Sequence, residues 1–63
     1  MKNNNLYNLM TQLTQESRSL WRIQNEYQKD TKDKALKAFW KMLAEEKAAL
    51  VEDLKLIIKS ELK

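Results

Sequence analysis

Neither glycine nor proline occurs among the 63 residues, and this double absence limits the fold more than any other feature of the chain. Tight turns between strands and loops that cradle phosphate rely on the positive φ that glycine adopts without strain, so neither is expected. Proline would end or kink a helix, and without it long helices can run uninterrupted. Leu, Lys, Ala, Glu and Gln, which all favour helix, make up much of the rest. An all-α fold follows.

The apolar residues repeat in steps of three and four, the period of one helix face. The first set is Leu6, Leu9, Leu13, Leu20, Ile23 and Tyr27, with Met10 and Trp21 widening it. The second is Leu36, Phe39, Trp40, Leu43, Leu50, Val51, Leu54, Ile57, Ile58 and Leu62. Between them the stretch from Lys29 to Lys34 is uniformly polar. The pattern predicts helix 1 over about residues 6–29, a connection over about 30–33 and helix 2 over about 34–62. Together they form an antiparallel hairpin, with residues 1–63 as a single helical-hairpin domain. Asn4 or Asn5 is the expected N-cap of the first helix, and Thr31 or Asp33 that of the second. With no glycine available, a residue such as Asp30 is expected to close the first helix in the left-handed conformation. Lys41 and Glu45 are spaced for an i,i+4 ion pair, and Lys55, Lys59 and Lys63 suit the negative end of the second helix dipole.

A chain this short usually needs a disulfide, a metal or a partner to complete its core. It contains no Cys and no His, which excludes disulfides and metal sites built on thiolate or imidazole. Self-association remains. The apolar stripe of helix 2 is wider than one neighbour can cover, so two hairpins are expected to pair about a two-fold axis into a four-helix bundle. The expected dimer core is Leu13, Leu20, Ile23, Phe39, Trp40, Leu43, Leu50, Leu54 and Ile57. A tetramer or an unknown protein partner is the alternative to the homodimer. Met42, Ala49 and Leu56, seven residues apart, either form a second seam or are scattered surface residues.

Glu16 and Lys47 stand where the two stripes call for apolar side chains, each about 15 residues from the centre of the connection. Equal helical rise in both arms brings them level. Three readings are open. Both side chains sit at stripe edges and reach water; or they form a buried ion pair that fixes register, with Ser17 and Gln24 completing its hydrogen bonds; or they carry catalysis or bind a metal.

The run Trp40-Lys41-Met42-Leu43-Ala44-Glu45-Glu46-Lys47-Ala48-Ala49-Leu50 resembles the rubrerythrin branch of the ferritin-like superfamily. There an aromatic residue and Leu-Ala-Glu-Glu precede the ligand motif Glu-x-x-His. The resemblance covers about residues 13–58, one of that family's two helical hairpins. It implies that Glu16 corresponds to a ligand carboxylate of the preceding helix. It also implies that Lys47 stands at a ligand Glu position and Leu50 at the ligand His position. A diiron site is therefore expected to be lost, with an ammonium in place of the cation. No cofactor is expected, and Glu16 and Glu46 are the only weak metal candidates.

The net charge is +3. Arg18, Arg22 and Lys29 share one face of helix 1, and Lys37, Lys41, Lys55 and Lys59 one face of helix 2. Glu26, Glu45 and Glu52 interrupt or flank these faces, so they are read as solvated, with phosphate binding as the alternative. The aromatic residues are read as packing groups, not as stacking platforms for bases. No apolar run approaches the roughly 18–20 residues of a membrane span. The polar start MKNNNLYNLM does not read as a signal peptide, and Met1 is read as an initiating residue. A cytoplasmic, non-enzymatic structural or interaction protein is expected. A small dimeric nucleic-acid-binding regulator and a residual carboxylate metal binder are the alternatives.

Overall fold

The computed structural model describes residues 4–62. They are helical apart from a short connection and the final turn at Leu62, with no strand among them. The first arm runs as α1 (Asn4–Arg22), a π-helical turn (Ile23–Tyr27) and a last short piece, α2 (Gln28–Asp30). After residues 31–33 the chain returns as α3 (Lys34–Glu61). The two arms lie side by side and antiparallel in a rod of 49 × 14 × 12 Å.

The ends of these elements follow from local chemistry. Asn4 and Asn5 already belong to α1, so neither acts as the expected N-cap. Asp33 caps α3: its Oδ1 accepts from the N–H groups of Ala35 at 2.8 Å and Leu36 at 3.2 Å. Two of the free donors of the first turn are thereby satisfied. Thr31 supports the cap from outside the helix, its Oγ1 accepting from the Asp33 N–H at 3.2 Å. The expected left-handed closure at Asp30 does not occur, since no described residue has positive φ. The chain instead leaves the first arm through an extended Thr31, with φ −100° and ψ 142°. α3 ends at Glu61 with Leu62 as its C-cap, and Lys59 stands in its last turn. Lys63 lies outside the described residues. Of the surface ion pairs, Lys55–Glu52 forms at 3.3 Å, whereas the expected Lys41–Glu45 pair does not.

The π turn is the main departure from regular geometry. Gln28 donates its backbone N–H to the Ile23 carbonyl, an i→i+5 bond, and the wider turn changes the phase of everything after it. Asn25 Nδ2 donates to the Trp21 carbonyl at 2.9 Å, giving the start of this turn a side-chain donor. As a result Tyr27, expected in the seam, is 39% exposed, while Gln28 is partly covered. The Tyr27 ring tilts onto Trp40 at 5.0 Å, and Phe39 meets Trp40 edge-on at 5.3 Å.

The buried core of the hairpin is small. Ile23 from the first arm and Ala44, Val51, Leu54 and Ile58 from α3 are its buried members, with Ile23 only 1% exposed. In α3 the covered set Trp40, Ala44, Lys47, Val51, Leu54 and Ile58 steps by fours and threes along one line. The wide stripe therefore divides in two. One line faces the first arm. The other, comprising Leu36, Phe39, Leu50 and Ile57, stays 42–48% exposed.

Candidate functional site

Glu16 and Lys47 meet at mid-length of the hairpin. Glu16 follows Leu9 and Leu13 in the α1 seam, where helical spacing turns it toward α3. Lys47 falls between Ala44 and Val51 in the α3 seam. The small Ala44 leaves room for a long side chain to cross between the helices. Lys47 Nζ donates to Glu16 Oε1 at 2.6 Å, and the second carboxylate oxygen, Oε2, accepts from Gln12 Nε2 at 2.7 Å. Gln12 makes this second bond, not Ser17 or Gln24 as expected. It lies one turn before Glu16 on the same helix, an i,i+4 relation that the sequence already contains.

The pair is covered without being sealed off: the Lys47 side chain is 23% exposed and that of Glu16 14%. Partial access to water lessens the cost of bringing two charges between helices. The hydrogen bond from Lys47 holds the Glu16 carboxyl below the ordinary glutamate value of 4.5. Burial pushes the other way, and the Gln12 bond and the lysine's positive charge add to the lowering. Glu16 is thus an anion near neutrality with both oxygens engaged. That state suits it to hold a cation and not to transfer protons.

The residues do not fit a dinuclear metal site. Such a site in a helical bundle takes several carboxylates and usually histidines from facing helices. Among the described residues no group of three or more His, Cys, Asp or Glu is placed to hold a metal ion. Lys47 fills the position next to Glu16. Leu50, where the resemblance implies a histidine, is 42% exposed, and Glu46 is an exposed carboxylate beside the pair.

The residues expected in a dimer core fall into two groups. Ile23 and Leu54 are already buried within one hairpin, and Leu13, Leu20, Trp40 and Leu43 are partly covered by it. Phe39, Leu50 and Ile57 remain about half exposed. Ala44, Val51 and Ile58 complete the internal seam. Ala44 was not marked by the apolar pattern, although its spacing of three from Lys47 and four from Trp40 points to it.

The basic residues sit elsewhere. Lys29, Lys37 and Lys41 border a shallow groove with Gln24 and Gln28 near the connection. Lys55 is engaged with Glu52. No helix of the described residues is long and apolar enough to cross a membrane. In comparisons with family models, curated proteins and solved structures, the chain matches none.

Proposed function

We infer that the chain is a non-enzymatic helical module that works by self-association, two hairpins closing into a four-helix bundle with no metal at its centre. The observation that carries this reading is surface area. A compact monomer of 7.5 kDa is expected to expose about 4,250 Å², whereas this chain exposes 5,045 Å². The excess of about 800 Å² is close to what each partner buries in a standard stable interface. The radius of gyration agrees: 14.5 Å against about 10.6 Å for a compact chain of this length.

Within that bundle the Glu16–Lys47 pair is a register lock, the ammonium occupying the place a ferritin-like relative would give to a cation. A pair bridging the two arms at mid-length penalises any slip of one helix against the other, because a slip leaves a half-buried charge alone. The absence of cysteine suits a reducing compartment such as the cytoplasm.

A concentration series of thermal unfolding tests the reading. A self-associating module melts at a higher temperature as protein concentration rises. A melting temperature independent of concentration over a hundredfold range contradicts it. A second reading, nucleic-acid binding, draws on Lys29, Lys37 and Lys41 around one groove. It requires a salt-dependent shift of short RNA or DNA, and the self-association reading expects none.

A further inference from the structure

We propose that the groove beside the connection binds a compact oligophosphate, with three lysines and two glutamine amides holding its anionic oxygens. This site does not depend on the self-association reading. Lys29 from the first arm and Lys37 and Lys41 from α3 line the groove, together with Gln24, Gln28 and Ala38. Its volume is about 390 Å³, inside the range of small-ligand clefts. None of these lining residues is acidic. Among the described residues none of the three lysines has an ion-pair partner, and Glu45, spaced i+4 from Lys41, makes no bond to it. Asp33, in the adjoining connection, has its Oδ1 committed to the N–H groups of Ala35 and Leu36. Like charges gathered around one groove repel, and a bound anion removes that cost.

The lining also selects the kind of anion. A lysine ammonium is a compact point charge. No arginine lines the groove to grip a single carboxylate with its planar fork, whereas three separate ammoniums suit charge spread over several oxygens. Lys37 and Lys41 stand one turn apart, about 6 Å along α3, and Lys29 borders them from the first arm. The π turn adds neutral donors. It brings Gln28 to a partly covered position beside Gln24 and Lys41, and each amide can donate to a phosphate oxygen. Turns of this kind recur at functional sites. Past Lys41 the groove continues over Ala44 and Ala48 and meets Glu45. That carboxylate, with no further lysine beside it, stops a long phosphate backbone from following the groove, so a compact anion fits and an extended strand does not. Lys41 lies about 160° around α3 from Leu43, at 100° per residue. A second copy on the exposed apolar line therefore leaves the groove open.

Titration of the full chain with sodium triphosphate at constant ionic strength, followed by NMR, tests the site. The expected result is a saturable shift of the Gln24 and Gln28 side-chain amide signals. Lys37→Gln and Lys41→Gln each remove one charge from the groove and are expected to weaken binding about tenfold. Lys59→Gln removes the same charge from the far end of α3 and is expected to leave the affinity unchanged. Circular dichroism checks that each variant keeps its helix. A nucleoside triphosphate that binds as tightly as free triphosphate supports a site that reads phosphate alone. Tighter binding of the nucleoside triphosphate supports the same site with its base over the alanines. No saturable shift at millimolar triphosphate overturns the proposal. So does equal weakening by Lys59→Gln, which would show attraction to net charge only. A short RNA that binds more tightly per phosphate than triphosphate also overturns it, in favour of an extended strand.

Discussion

Glu16 shows what a single charged residue can do in a seam of leucines. Its carboxylate is held by Lys47 across the hairpin and by Gln12 along its own helix. Glu16→Gln keeps the shape and removes the charge, and is expected to cost about 1 kcal/mol at pH 7, a value limited by partial solvent screening. The folded pKa is lowered, so the stabilisation is complete above the ordinary 4.5 and is lost as pH falls through the lower folded value. Denaturant curves of the two proteins should differ at pH 7 and converge only in acid, once pH has fallen through the lowered folded value of Glu16. A gap that persists in acid would mean that the charge is not what Lys47 holds. The meeting of Glu16 and Lys47 was legible in the sequence, because two breaks in apolar patterns stood equally far from one polar connection. Gln12 carries no such signal: a polar residue one turn back on the same helix looks like any solvated position, and only the crossing of Lys47 turns the Glu16 carboxylate so that Gln12 reaches its second oxygen.

At the scale of elements, the boundary at Asp33 and the wide turn at Ile23–Tyr27 differ in how readable they were. An Asp before a helical run is a local signal that needs no tertiary information, and its two N–H acceptor bonds are present. Asp33→Ala is expected to cost about 1 kcal/mol in chemical unfolding; no loss would show that α3 does not depend on its cap. The π turn was invisible, since a hydrogen-bond shift of one residue leaves no mark in apolar spacing. It leaves Tyr27 at the edge of the seam, 39% exposed with its ring against Trp40, and brings Gln28 in. Ile23 begins that turn and is the most deeply buried large side chain. Ile23→Ala is therefore expected to cost about 2–4 kcal/mol, enough to leave so small a chain partly unfolded by circular dichroism. The left-handed residue expected at Asp30 proved unnecessary because extended backbone at Thr31 redirects the chain.

For the whole molecule, the thin section of the rod is the decisive quantity. Two helices in contact cover one line of each, and α3 carries two apolar lines. The sequence revealed the excess width of that stripe but not which residues each line would hold. That division depends on the angle at which α1 meets α3, which a one-dimensional pattern does not contain. Phe39 stands near one end of the exposed line, its ring edge-on to Trp40 of the internal seam, and large rings tend to dominate interface energy. Leu50→Asp is expected to weaken association at least tenfold, moving the loss of helix on dilution to higher concentration while helix is kept where the dimer still forms. Loss of helix at every concentration would instead assign Leu50 to the internal core.

Sedimentation equilibrium across a dilution series, from about 100 µM to tens of nanomolar, tests the central claim most directly. The account predicts a mass near twice the 7.5 kDa of one chain at the concentrated end, falling toward one chain as helix is lost. A fully helical species of single-chain mass throughout would contradict it.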